Sequence, residues 1–299
     1  MKVRIGYGLG TRSLTNDAAR FNAMVDALED IGFDSLWLSE RITGDCPDPL
    51  IGLAVAAGRT TKLKLGTSVQ VLPGRNPVLV AKEWASLDRL SAGRTLPAFG
   101  LGVADPREQQ AFGVERKERA AWFDEALPLI RRLWTEDAVD HDGPRFHFEA
   151  VSVRPKPLQS PPDVWLGGIA PSELRRVGRL GDGWLPSFCT PADVERARPI
   201  IQAEAAAHGR SMDEEHWGAL VAYADGPLPD AFAAVLAARR PDLDDPSQVV
   251  GEGHDGVRKL LERFIEAGAS KFVLIPLTEP ADWDAELEAV AKSTFDLVN

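Results

Sequence analysis

The chain has 299 residues, 44% of them hydrophobic and 26% charged, an ordinary globular balance that excludes a largely disordered protein. Acidic residues outnumber basic ones by 45 to 34, for a formal charge of -11. Such a surface repels phosphate backbones and anionic lipid, which argues against nucleic-acid and membrane-surface roles but leaves room for a local pocket that takes a small anion.

The first strand-like run is 3–7. Residues 17–31 then carry Phe21, Met24, Val25 and Leu28 at helical spacing, with Gly32 as a stop signal. A second strand (35–39) and helix (49–57) follow, then a third strand (63–69) and a helix over 77–90 that starts on a proline. A fourth strand (95–101) leads to a long helix, 115–134, with Trp122, Leu127, Ile130 and Trp134 expected inward. Residues 137–162, rich in proline and glycine, read as a hairpin excursion and a loop. The alternation resumes with strand 163–166 and helix 171–180, strand 183–188 and helix 191–208, and strand 217–223 and helix 230–239. After a loop over 242–253 come helix 257–267, a last strand 271–275 and a closing helix 283–297.

Strands alternating with helices imply a parallel sheet with helices outside. Eight such units in one chain of this length predict an α/β fold, a (β/α)8 TIM barrel forming a single domain over 1–299. It carries an insertion after the fourth helix and an extra helix before the eighth strand. A doubly wound sheet is the competing fold. Its glycine fingerprint fits poorly, because the third glycine of Gly6-Tyr7-Gly8-Leu9-Gly10 comes one residue too early for G-x-G-x-x-G and the helix starts too late. Cys46 and Cys189 lie far apart and give neither a disulfide framework nor a C-x-x-C site. The opening MKVRIGYGLG lacks a signal-peptide run, and no apolar stretch is long enough for a bilayer, so a soluble cytoplasmic protein is expected.

In a barrel of this kind chemistry belongs on the loops at the carboxyl ends of the strands. Glu40-Arg41 follows the second strand and places a carboxylate beside a guanidinium, able to orient a substrate or to tie two loops together. Arg75, in Pro73-Gly74-Arg75-Asn76-Pro77, lies where a phosphate or carboxylate could be gripped, though turn chemistry alone explains the prolines. Gly100-Leu101-Gly102 ends the fourth strand, where glycines let a flat ring approach. Gly167-Gly168-Ile169-Ala170 runs from a buried strand into a helix beginning near Pro171, so its amide groups form a candidate phosphate site. Trp184, after Asp182-Gly183, offers a flat apolar wall. Asp140-His141-Asp142 has ordinary turn composition, and ligand spacings such as H-E-x-x-H are absent, so no metal is expected.

Phe33-Asp34-Ser35-Leu36-Trp37, the Pro73 to Pro77 loop with Ala81-Lys82, Leu87-Asp88-Arg89-Leu90-Ser91-Ala92-Gly93-Arg94, Ala111-Phe112-Gly113, Leu133-Trp134, and Trp165-Leu166-Gly167-Gly168 with Asp182-Gly183-Trp184 occur in a set order. With them the chain resembles the luciferase-like flavin oxidoreductases, most of all the actinobacterial branch that uses the deazaflavin coenzyme F420. The resemblance implies hydride transfer between F420 and a small organic substrate, with Glu40 and Arg41 facing the reactive side. It implies a non-prolyl cis peptide, here Ser68–Val69, that backs the central ring, with Leu101, Gly102 and Val103 lining the ring and its ribityl chain. It assigns the phosphate to Gly167, Gly168, Ile169 and Ala170, the loop already reached from backbone chemistry. Many deazaflavin members carry Asp-His where this chain has Glu40-Arg41, and sugar-phosphate-oxidising members place a glutamate where it has Val103-Ala104. The resemblance therefore does not extend to histidine-assisted oxidation of glucose 6-phosphate. An FMN-dependent monooxygenase on the same barrel and a non-catalytic flavin-binding protein stay open as alternatives. A glycosidase would want a second carboxylate on another strand end. Relatives often pair as homodimers; the sequence leaves this chain's oligomeric state open.

Overall fold

The helices start where short polar side chains can cap them. Asp48 accepts from the amides of Leu50 and Ile51 ahead of Pro49–Arg59, and Asn76 accepts from Val78 ahead of Pro77–Leu90. Thr190 and Asp193 form a reciprocal box at the start of Pro191–Ala207. In all three cases proline fills the first helical turn, where a missing N–H costs nothing. Each cap contributes about 1 kcal/mol.

The computed structural model describes residues 2–11 and 17–298. Parallel pairing runs from the first barrel strand (Arg4–Leu9) to the second (Ser35–Leu38) and the third (Lys64–Thr67). The third continues as Gln70–Val71, and Pro97 divides the fourth into Thr95–Leu96 and Ala98–Gly100. The fifth (Trp165–Leu166), sixth (Gly183–Trp184), seventh (Gly218–Ala224) and eighth (Lys271–Pro276) follow in order. The sixth and seventh meet at a single bridge, Trp184 to Trp217, and the eighth pairs with the first. This is the (β/α)8 barrel expected from the alternation. The antiparallel hairpin Val139–Asp142 and His147–Val151 is the insertion, and Asp230–Arg239 and Gly253–Glu266 both precede the eighth strand.

Three expectations need correction. The long helix is Arg119–Thr135, preceded by a separate helix, Pro106–Phe112, which Asp105 caps. The segment read as a loop over 242–253 contains the strand Val250–Glu252, paired to the upper half of the seventh strand. The regular sixth strand is short, Gly183–Trp184; beyond it the Leu185 amide still donates to the Leu166 carbonyl (2.8 Å) and the Pro186 carbonyl accepts from the Leu220 amide (2.9 Å), while Leu185, Ser187 and Phe188 line the cavity.

The barrel interior is filled below its mouth. Trp37 and Trp165 meet edge to face at 6.1 Å, with Ala98, Leu185 and Val273 around them. Glycines make the room: a Cβ on Gly66 would lie 2.4 Å from the Trp37 ring, and one on Gly183 would lie 2.4 Å from Trp165. A larger apolar layer between strands and helices holds Trp84, Trp134, Trp184 and Trp217. Trp122, expected inward, is only half-buried and donates to the Arg75 carbonyl (3.4 Å).

Candidate functional site

At the carboxyl ends of the strands the barrel opens into a cavity of ≈ 980 Å³. Glu40, Arg41, Ser68 and Val69 line one side, Leu101, Gly102 and Val103 another, and Gly167, Gly168 and Ile169 a third. Three expected residues, Arg75, Ala170 and Trp184, do not line it.

The Ser68–Val69 peptide is cis. It lies between the two halves of the third strand, where the Ser39 hydroxyl donates to the Ser68 carbonyl (3.0 Å) and the Glu40 amide donates to the Val69 carbonyl (3.3 Å). Val69 faces the fourth strand, and a Cβ on Gly100 would lie 2.4 Å from its Cγ2. Gly102 has φ +81°, a conformation that glycine adopts at little steric cost. Beneath it the Arg119 guanidinium donates to the carbonyls of Leu101 (3.3 Å) and Val103 (2.7 Å), which pins the loop.

Glu40 and Arg41 are neighbours in sequence, but the fold separates their partners. Glu40 is 9% exposed; one carboxyl oxygen accepts from the Val71 amide (2.6 Å) and the other pairs with Arg75. Burial raises its pKa, against the pull of the Arg75 guanidinium and the Val71 amide. Arg75 also donates to the Val71 carbonyl (3.0 Å), so it steadies Glu40 and its strand rather than gripping a ligand. Arg41 turns to Asp105 (3.1 Å) and Glu108 (3.8 Å) on the helix that the sequence reading lacked.

The glycine loop carries the second correction. The amides of Ile169 and Ala170, expected to be free, donate to the Glu173 carboxylate at 3.1 and 3.0 Å. Glu173 lines the cavity, so an acid of the chain's own holds the place where an anion would sit. Gly168 has φ +98°, and a Cβ there would lie 2.6 Å from the Cβ of Glu173. Trp184 is wholly buried behind the loop, where its indole N–H donates to the Gly168 carbonyl (2.9 Å). It is a support for the loop, not a wall of the cavity.

Several lining residues were not singled out from the sequence: Glu108, Glu173, Arg176, Phe188, Phe232 and Arg239. The segment 225–256 supplies Phe232, Val235, Arg239 and Val249. Among the described residues no group of three His, Cys, Asp or Glu side chains is placed to hold a metal, and no helix is long and apolar enough to cross a membrane.

A family model described as luciferase-like monooxygenase matches residues 2–268. One curated relative, an F420-dependent glucose-6-phosphate dehydrogenase from Kineococcus radiotolerans, is 31% identical over 195 residues, which cover 61% of this chain. The match spans 57% of that relative's length. Among solved structures, an F420-dependent secondary alcohol dehydrogenase in complex with an F420-acetone adduct superposes with TM-score 0.78 at 22% identity, covering 98% of this chain and 99% of that one. The FMN-bound oxygenating constituent of 3,6-diketocamphane monooxygenase from Pseudomonas putida gives TM-score 0.81 at 17% identity, covering 100% of this chain and 99% of that one. At these identities the two structures speak for the fold. The family match covers most of the chain, which therefore belongs to the luciferase-like monooxygenase family.

Proposed function

We propose that the chain is an oxidoreductase that moves a hydride between coenzyme F420 and a small organic substrate. The observation that carries this reading is the lining of the cavity: Val69 and Leu101 on its walls, and a glycine loop at a helix start. A flat ring needs apolar walls and close backbone approach, and Val69, Leu101, Gly100 and Gly102 supply both. A phosphate needs amide donors at a helix start, and Ile169 and Ala170 supply them once Glu173 yields its place. The residues present therefore fit such a group.

When bound, the coenzyme supplies the carbon that gives or takes the hydride. The chain's own residues do the rest. The apolar walls exclude water from the cavity, and the Arg119 contacts keep the Leu101 and Val103 carbonyls in place. Glu40 is the candidate proton donor, since burial favours its protonated form and it borders the cavity. Arg75 and the Val71 amide fix its orientation. The relative named as F420-dependent supports F420 as the carrier, and the FMN-bound neighbour favours FMN as the second choice.

Titration of the purified protein with F420 and with FMN, following ring fluorescence, tests this. A saturable response to F420 alone is expected. Response to FMN alone moves the reading to a monooxygenase, and response to neither removes it. Binding with no turnover across a panel of ketones, aldehydes and acids leaves a carrier protein.

A further inference from the structure

Arginines around the mouth are mostly engaged. Arg41 pairs with Asp105, and Arg240 with Asp193 and Asp242. Arg239 differs. It ends the helix Asp230–Arg239 and lines the cavity, and among the described residues no carboxylate lies within ion-pair distance. Residues 12–16 hold no acidic side chain that could supply one. Its guanidinium instead lies over the Phe188 ring, 4.9 Å from the centroid. Phe188 has φ +55°, an uncommon conformation for a bulky side chain, and its ring stacks on Phe232 at 5.6 Å and 20°. Among the described residues Arg116 also has no acid at ion-pair distance, but no ring lies beneath it.

A guanidinium lying on a ring keeps its edge N–H groups free to grip a carboxylate in two places. Burial lowers the pKa of Arg239, and the charge of Arg41, which lines the same cavity, lowers it further. In a chain of net charge -11, a guanidinium that lines the cavity with no carboxylate at ion-pair distance among the described residues is a local positive site. Phe188, Phe232 and Val235 line the cavity with Arg239 and offer apolar surface to a hydrocarbon body.

We infer that Arg239, held on the Phe188 ring at the cavity wall, is the anion-binding residue of a substrate subsite that takes an organic acid with a hydrocarbon body. As a substrate subsite it rests on the proposed oxidoreductase reading. The same carboxylate chemistry could come from the glutamyl tail of F420, and the test separates the two sources.

Calorimetric titration of the full chain uses octanoate, the neutral isostere octanamide, and F420 with and without its glutamyl tail. Octanoate is expected to bind about tenfold more tightly than octanamide. Arg239→Met should bring octanoate down to the level of octanamide and leave octanamide unchanged, while Arg239→Lys restores part of the difference. F420 affinity should stay within about twofold in both variants. Equal binding of acid and amide by the unmodified chain, or an unchanged preference in Arg239→Met, overturns the subsite. So does a loss in Arg239→Met confined to tailed F420, which would place the guanidinium on the coenzyme. If F420 fails to bind at all while the octanoate preference tracks Arg239, the coenzyme reading falls and the anion subsite stands.

Discussion

The two ends of the barrel are made from the same strands and treat charge in opposite ways. At the amino-terminal end Asp34 pairs with the buried Lys271 and with Lys64 (3.2 Å), Arg4 pairs with Glu215, and Asp182 takes both Arg131 and Arg210. Burial pushes Lys271 down to about 8, with Asp34 pulling the other way, and its ammonium lies 5.7 Å from the Trp37 ring centroid. At the carboxyl end burial raises the Glu40 pKa, Arg239 has no acid partner among the described residues, and Glu173 satisfies loop amides that a ligand could claim. What separates the ends is the filling: Trp37 and Trp165 plug one, while Gly100, Gly102, Gly167 and Gly168 keep the other open. Charges beside the plug are settled among themselves and serve stability. Of the charges that line the opening, Arg239 remains available to a ligand.

The sharpest way to break this contrast is at Asp34. Asp34→Asn leaves a buried ammonium without its closest countercharge, which costs about 3–5 kcal/mol. Denaturant unfolding should show the midpoint falling with the slope unchanged, and F420 affinity of the folded fraction unaltered. Acid titration sharpens the point. The Asp34 carboxyl is held at about 2, below its ordinary 3.8; burial opposes this, and Lys271 and Lys64 outweigh it. The folded state thus binds the proton less readily than the unfolded chain. The stabilisation linked to the Asp34 carboxyl is present above pH 3.8 and is lost as pH falls toward about 2. Asp34→Asn should flatten that limb of the stability profile. A cost below about 1 kcal/mol, as for an exposed pair, would undo the distinction between the ends.

At the open end, Glu40→Gln tests chemistry more than folding. A glutamine can offer its oxygen to the Val71 amide or to Arg75 but not to both, so about 1–3 kcal/mol of stability goes with the charge. Turnover should fall about 10²-fold, while F420 affinity, measured on folded protein, moves little. The pH profile carries the sign. A proton donor raised above 4.5 is active in its protonated form, so the rate declines as pH climbs through the elevated value. The variant should lack that decline. Unchanged turnover in Glu40→Gln makes the residue a support for its strand.

Sequence alone reached the barrel and most of its helices because caps and apolar spacing are local. It reached Glu40, Arg41 and the glycine loop because a barrel fixes where strand ends lie. It failed where partner choice depends on distant chain. Nothing near Glu40 says that Arg75 will take it, and the helix holding Glu108 was passed over although Asp105 and Pro106 carry the cap and first-turn signals. Trp184 was assigned to the wrong face, yet strand alternation contained the answer. Gly183 faces inward against Trp165, so its neighbour must face outward. Arg239 had no signal, since a cation in a last helical turn is ordinary and only the fold brings Phe188 beneath it.

The finest test falls on Gly168. Its positive φ and the nearby Glu173 side chain leave no room for a branched residue, so Gly168→Val costs about 1–3 kcal/mol locally. The loop lies at the rim, where the Trp184 indole holds one carbonyl, and the plug below is untouched. The thermal midpoint should therefore drop by a few degrees only, whereas F420 affinity falls about tenfold or more as the Ile169 and Ala170 amides are re-aimed. Glu173→Ala acts in the opposite sense: it frees those amides, so F420 should bind more tightly although the helix loses a cap. If both variants bind F420 as the unmodified chain does, the Ile169 and Ala170 amides do not hold the phosphate.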